Sequence, residues 1–124
     1  MKHIFNITTA LLFVLPMVGS AQSAGMDAAL NKGSAADLGV FFASNVDVSL
    51  LNSDATMSSG QAVQALTDFF SQNMVKGYNR AHLTEPQNGR ASYSLGDLYT
   101  STGNYRVYLY FDAQKKISEI RIQK

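Results

Sequence analysis

From Tyr78 to the carboxyl terminus, apolar and polar side chains alternate with a period of two residues. This period is typical of β-strands that bury one face and expose the other. Turn-forming residues interrupt the alternation near 86–89, 102–104 and 113–116. The sequence therefore predicts four antiparallel strands, near residues 78–85, 90–100, 105–112 and 117–123.

The chain before Tyr78 predicts helices with a short strand pair between them. Ser58 followed by Gln61 forms a capping box, and the helix that it begins carries apolar residues at helical spacing, namely Ala62, Leu66, Phe69 and Phe70. Ser34 predicts the start of a shorter helix, whose apolar face would carry Leu38, Phe41 and Phe42. Residues 46–51 alternate as a strand, and residues 55–57 can return as a second one. This order predicts an α+β domain with helices packed on one face of an antiparallel sheet.

The alternation also predicts which face of the sheet each side chain takes. We take Thr102-Gly103 as the tip of a two-residue hairpin, which places Leu98 opposite Val107. The predicted inner face is then apolar or small: Ala81, Leu83, Ser92, Ser94, Gly96, Leu98, Val107, Leu109, Phe111, Ile120 and Ile122. The predicted outer face combines tyrosines with polar and charged residues: Tyr78, Arg80, His82, Tyr93, Asp97, Tyr99, Arg106, Tyr108, Tyr110, Glu119 and Arg121. Because unpaired charges are costly to bury, this face is expected to meet solvent or a partner.

Five segments of the chain, in this order, resemble a known family: ALNKGSAADLGVFF, VDVSLL, QAVQALTDFF, YSLGDLYTSTGNYRVYLYF and ISEIRI. The family consists of small exported bacterial proteins and is known as domain of unknown function 4783. Its most specific part is the G-D-L-Y-T-S-x-G-x-Y-R-V-Y run, here Gly96 to Tyr108. The resemblance implies a nuclear-transport-factor-2-like, cystatin-like cone, in which a curved antiparallel sheet of four to six strands wraps around helices. It implies no particular activity, and this fold hosts many unrelated functions.

Residues 1–21 have the three parts of a secretory signal peptide. Lys2 precedes an apolar run, and Gly19-Ser20-Ala21 supplies the small residues that precede a cleavage site. The run is shorter than the about 20 residues that a membrane-spanning helix needs. We predict cleavage after Ala21, a single domain over residues 22–124, and a soluble product in the periplasm or outside the cell.

Charge and cysteine content exclude several functional classes. Removing Lys2 with the signal peptide reduces the ten basic side chains to nine, which equals the number of acidic ones. A chain without net charge is poorly suited to general binding of nucleic acid. The sequence has no cysteine, so disulfides, thiolate metal sites and a cysteine nucleophile are excluded.

Enzymatic chemistry has little support in the sequence. His82 is the only histidine after the predicted cleavage site, and no catalytic motif accompanies it. Asp68 lies next to the apolar stripe of the longest predicted helix, but the helical period points it towards solvent. No metal-ligand spacing or glycine-rich phosphate loop occurs in the sequence. We therefore predict no catalytic residue, metal site or cofactor.

Two kinds of binding site remain open. The first is the outer face, where the proposed partner-binding residues are Tyr78, Arg80, Tyr93, Tyr99, Arg106, Tyr108, Tyr110 and Arg121. Its partner would be a second copy of the chain, a glycan or a peptide. The alternative is a cavity between the helices and the inner face, lined by Phe41, Phe70, Ser94, Gly96 and Leu109. Such a cavity would hold a small apolar ligand or the site of an unrecognised enzyme. We favour a non-enzymatic interaction module that uses the outer face.

Overall fold

A computed structural model describes residues 18–84 and 92–124 of the chain. Three helices and six strands follow one another as α1 (Val18–Lys32), α2 (Ala35–Gly39), β1 (Phe42–Leu50), β2 (Ser53–Ser58), α3 (Ser59–Gln72), β3 (Val75–Leu83), β4 (Ser92–Thr100), β5 (Gly103–Phe111) and β6 (Ile117–Gln123). The predicted order of helices and strands is confirmed, and so is the α+β class. The predicted signal peptide falls mostly outside the described residues, and its cleavage stays a prediction.

The six strands form one curved sheet in the order β2-β1-β6-β5-β4-β3. All neighbouring strands are antiparallel except β1 and β6, which run parallel. The sheet is therefore mixed, whereas the sequence predicted an antiparallel one. The two parallel strands lie far apart in the chain, so no tight hairpin forces them into antiparallel order.

The helices begin where the capping residues predict. In α3, the Ser58 hydroxyl accepts from the Gln61 backbone N–H at 3.2 Å, and the Gln61 side chain accepts from the Ser58 N–H at 3.1 Å. The Ser34 hydroxyl accepts from the backbone N–H of Asp37 at 3.1 Å and begins α2. That helix ends at Gly39, so the prediction that its face carries Phe41 and Phe42 is wrong, and Phe42 instead begins β1.

The core lies between the helices and the inner face of the sheet. Fully buried side chains come from both layers: Leu30, Leu38 and Leu66 from the helices, and Val46, Leu98, Val107, Leu109, Ile117, Ile120 and Ile122 from the strands. Aliphatic residues from non-adjacent strands thus meet in one cluster. Burying such side chains is the main favourable contribution to folding.

The β4–β5 hairpin differs from the predicted register but keeps the predicted faces. Leu98 lies opposite Tyr105 rather than Val107, because the tip is formed by Ser101 and Thr102. The Thr100 hydroxyl closes this tip: it donates to the carbonyl of Gly103 at 2.7 Å and accepts from the N–H of Thr102 at 3.2 Å. The shift moves each partner by two residues, and a shift of two leaves every side chain on its own face.

Strand β3 departs from the predicted alternation, because its pairing with β4 contains a bulge between Arg80 and His82. Before the bulge, Tyr78 lies opposite Leu98, and Arg80 lies opposite Gly96. Tyr78 and Arg80 therefore belong to the inner face, and their predicted place on the outer face is wrong. Beyond the bulge, His82 returns to the outer face, as predicted, because the extra residue of a bulge reverses the alternation.

Candidate functional site

Cross-strand pairs position the tyrosines of the outer face. On β5, Tyr108 and Tyr110 lie opposite Arg121 and Glu119 of β6, and all four are on the predicted outer face. On its other side, Tyr110 lies opposite Tyr93 of β4. All five side chains are half-buried, because neighbouring side chains on a sheet face shield one another.

A row of rings crosses three strands of this face. The ring centroids of His82 and Tyr93 are 5.8 Å apart, and those of Tyr93 and Tyr110 are 5.7 Å apart. The rings of Tyr108 and Tyr110 are almost parallel, at 7°, with centroids 6.4 Å apart. These spacings lie in the range of favourable aromatic pairs. The row presents a continuous aromatic surface to the outside.

Two ion pairs border the aromatic row. Arg106 Nε lies 3.3 Å from Asp97 Oδ1 across the β4–β5 pair, and Arg121 Nε lies 3.5 Å from Glu119 Oε2 along β6. The Arg106 side chain is 54% exposed and that of Arg121 is 40% exposed, so each pair contributes little to stability. Both arginines are therefore available to a partner. Tyr99, at the hairpin end of the face, is 39% exposed.

A shallow polar depression of about 460 Å³ occupies the other half of the outer face. Its lining comes from β1, β2 and β6: Asp47, Val48, Ser49, Asp54, Ala55, Thr56, Glu119 and Arg121. The Thr56 hydroxyl donates to Asp47 Oδ1 at 2.6 Å and links the edge strand β2 to β1. Sequence reasoning missed this depression because it arises where β1 pairs with β6, a contact that no local pattern indicates.

Tyr78 and Arg80, which were predicted on the outer face, instead meet helix α1. Arg80 Nε lies 3.6 Å from Asp27 Oδ2, and the side-chain amide oxygen of Asn31 accepts from the backbone N–H of Tyr78 at 3.0 Å. The Tyr78 hydroxyl is buried and makes no hydrogen bond with the described residues. Burial raises the pKa of this hydroxyl well above its usual range, and the negative charge of Asp27 adds to the shift. The cluster ties β3 to α1 and draws these two residues away from the candidate interface.

The inner-face positions that were predicted to line a cavity are packed. Phe70, Ser94 and Leu109 are buried, and the ring of Tyr78 occupies the space above Gly96. Phe41 packs against the core from the connection between α2 and β1. The small residues of β4 thus accommodate a tyrosine from the neighbouring strand.

Asp68, and Tyr105 on the inner face of β5, behave as ordinary structural residues. Asp68 is exposed and accepts from the side-chain amide of Gln64 at 3.4 Å. Tyr105 is 5% exposed and packs edge-on against Phe69, with centroids 5.6 Å apart. Within residues 18–84 and 92–124, no three His, Cys, Asp or Glu side chains converge as a metal site would require. In the same part of the chain, no helix is long and apolar enough to cross a membrane.

The family model described as "Domain of unknown function (DUF4783)" matches residues 24–123. The chain belongs to the DUF4783 family. A DUF4783 protein from Bacteroides ovatus is 29% identical and has a TM-score of 0.74, with 82% of this chain and 93% of that chain covered. Another, from Bacteroides fragilis, is 31% identical and has a TM-score of 0.73, with 81% and 95% covered. The predicted resemblance is thereby confirmed.

More distant structures show how widely the fold of this DUF4783 chain occurs. An uncharacterised protein from Silicibacter pomeroyi with a cystatin-like fold is 10% identical, with a TM-score of 0.59 over 81% of this chain and 70% of that chain. Nuclear-transport-factor-2-like folds also occur among the similar structures, which confirms the predicted architecture. No curated protein matches the chain. At a sequence identity this low, structural similarity shows only the fold, and the function has to be inferred from the residues of the site.

Proposed function

We propose that this DUF4783 chain is an exported, non-enzymatic interaction module that binds its partner through the outer face. The observation that supports this most is the aromatic row from His82 to Tyr108, with Arg106 and Arg121 beside it. Tyrosine and arginine are enriched at the centres of protein interfaces. The row also offers rings on which the apolar side of a sugar or a peptide side chain can stack.

The charges of this face favour recognition rather than catalysis. Each arginine has a carboxylate within reach. The Arg106–Asp97 pair is open to water, and the Arg121 side chain is 40% exposed although its Nε is buried. Such pairs can be exchanged for contacts with a partner at little cost, because an exposed ion pair contributes only about 0–1 kcal/mol. The partner would be a second copy of the chain, a glycan or a peptide.

The proposal is tested with residues 22–124 by light scattering over a concentration series and by binding to a panel of glycans and envelope peptides. Tyr108→Ala and Arg106→Ala should each lose the association that the unchanged chain shows, while keeping its thermal unfolding midpoint within a few degrees. Lys116→Ala serves as the control, since Lys116 is exposed in the β5–β6 turn. Unchanged association in both outer-face variants would contradict the proposal.

A further inference from the structure

The two edges of the sheet differ in how well they are protected from pairing. At one edge, β3 carries two register irregularities and the basic residues Lys76 and Arg80. At the other, β2 pairs with β1 through six consecutive residues without a bulge. Its only charged residue is Asp54, and it contains no lysine, arginine or proline. Proteins generally protect an exposed edge with such residues or with bulges, so β2 lacks the usual barriers to strand addition.

Strand β2 is also accessible along its length. Five of its six residues are exposed, and only Met57 is half-buried. Among residues 18–84 and 92–124, β1 is the only strand that pairs with it. The free side of β2 thus presents an unpaired row of backbone donors and acceptors.

We propose that β2 pairs with β2 of a second copy of this chain, antiparallel and about a twofold axis normal to the sheet. The pairing would join two six-stranded sheets into one and would leave both outer faces on the same side. It does not depend on the function proposed for the outer face, which stays open in such a dimer.

Strand β2 is self-complementary in two of the registers that this symmetry permits, those centred on Ala55 and on Thr56, whereas a register centred on Asp54 would set the two Asp54 carboxylates opposite each other. Asp54 and Thr56 lie on the outer face, opposite Ser49 and Asp47 of β1, and Ala55 lies on the inner face, opposite Val48. Because a twofold axis normal to the sheet keeps each face on its own side, only residues of the same face can oppose one another. With Ala55 on the axis, Asp54 faces Thr56 of the second copy. With Thr56 on the axis, Asp54 faces Ser58 of the second copy.

Both registers keep the two Asp54 carboxylates apart and set each against a hydroxyl group. Like charges directly opposite one another would destabilise the pair, and both registers avoid this. In the second register the Ser58 hydroxyl, which accepts from the Gln61 N–H, can donate its own proton to Asp54, whereas in the first the Thr56 proton is already donated to Asp47. A foreign strand would need a matching sequence, but a second copy supplies this match by symmetry. The only acidic residue of β2 is therefore compatible with self-pairing.

The polar depression gives a second reason to expect that the pairing partner of β2 is another copy of this chain. Asp54, Ala55 and Thr56 line it, so it reaches the free edge of the sheet. A second β2 would supply a wall at this edge. By symmetry the depression of the second copy would adjoin it, and one continuous polar trough would cross the dimer axis.

Single cysteines introduced into this cysteine-free chain test the proposal directly. Directly opposed residues of an antiparallel pair have Cα atoms about 4.5–5.5 Å apart, which suits a disulfide. After mild oxidation of residues 22–124, we expect a disulfide-linked dimer for Ala55→Cys or Thr56→Cys. The yield should be clearly higher for the residue that lies on the twofold axis. Asn79→Cys, exposed on the opposite edge strand, is the matched control and should stay monomeric.

If neither position forms a dimer, or if Asn79→Cys does so at the same rate, β2 does not pair with itself. Cross-linking of Ala55→Cys only to another protein in an envelope extract would overturn the second copy in favour of a foreign strand. The double variant Ala55→Cys/Tyr108→Ala keeps the two proposals separate, since edge pairing predicts an undiminished disulfide yield.

Discussion

Tyr78 lies directly over Gly96 on the inner face of the sheet, and a Cβ atom at Gly96 would overlap the hydroxyl end of the Tyr78 ring. The two residues belong to neighbouring strands, in which Tyr78 faces Leu98 and Gly96 faces Arg80. The glycine is therefore required for close packing, although its backbone needs no left-handed conformation. It allows a ring from β3 to cover β4 where a cavity was predicted.

Replacing Gly96 with alanine should destabilise the fold. The added methyl group overlaps three atoms of the Tyr78 side chain, and moving this side chain strains β3 at a residue whose backbone N–H bonds to Asn31 of α1. Overpacking of this kind typically costs about 1–3 kcal/mol, which exceeds the gain of about 0.5–1 kcal/mol from replacing a strand glycine. Urea unfolding of Gly96→Ala would measure the loss of free energy.

The matched control is Gly60→Ala in the first turn of α3, where a Cβ atom would meet nothing within 4 Å. This variant should be neutral or stabilised, by up to about 1 kcal/mol. Adding Tyr78→Leu should remove most of the cost of Gly96→Ala, because residues in contact are not additive. An equal cost of Gly96→Ala with and without Tyr78→Leu would show that the ring is not the cause.

Tyr78→Phe should leave the free energy of unfolding unchanged or slightly raised. The Tyr78 hydroxyl is buried without a hydrogen bond to the described residues, so its removal deletes no such bond and relieves an unfavourable burial. Urea unfolding at pH 7 checks this outcome. A loss above about 1 kcal/mol would instead indicate a bonded hydroxyl, with Ser94 as the partner to test next.

Because of Asp27, the free energy of unfolding should decrease as pH rises through the pKa that this carboxyl has in the folded state. Burial raises the pKa of this carboxyl above its ordinary value of 3.8, and attraction by Arg80 offsets only part of the rise. The folded state then binds the proton more tightly than the unfolded state, so the contribution is fully present below pH 3.8 and is lost above the folded pKa. Asp27→Asn should remove this slope, as thermal unfolding between pH 3 and pH 7 would show.

Asp37 provides a control of opposite sign. The hydrogen bond from Lys32, at 2.8 Å, lowers the pKa of the Asp37 carboxyl below 3.8. Its contribution is therefore present above pH 3.8 and is lost as pH falls through the folded pKa. Asp37→Asn should therefore lower the free energy of unfolding mainly above pH 3.8. Equal pH profiles for the Asp27 and Asp37 variants would contradict both assignments.

Ser58→Ala should weaken α3 by removing one half of its capping box. The Ser58 hydroxyl accepts from the Gln61 N–H, and loss of such a cap typically costs about 1 kcal/mol. Ser59→Ala, one residue further on, removes no capping bond and should be nearly neutral. Equal unfolding free energies for the two variants would show that the capping box does not stabilise the fold.

Features that depend on residues close together in the chain could be predicted from the sequence. The capping box of α3, the Ser34 cap of α2 and the strands follow from local spacing. Alternation along β4, β5 and β6 correctly predicts that Tyr93, Tyr108 and Tyr110 lie outside. The predicted hairpin register was wrong by two residues, but the predicted faces are still correct, because a shift of two residues leaves each side chain on its own face. The family could also be predicted, since its most specific motif lies within this hairpin.

Three features depend on contacts between distant parts of the chain: the face on which Tyr78 and Arg80 of β3 lie, the parallel pairing of β1 with β6, and the polar depression. Tyr78 and Arg80 turn inward because a bulge follows them and because α1 supplies Asn31 and Asp27 as partners. These contacts join residues about fifty positions apart, and whether they form depends on space that Gly96 leaves on another strand. Alternation with a period of two residues predicts the face of each side chain only where strand pairing is regular. One extra residue in a strand moves every later side chain to the face opposite to the predicted one.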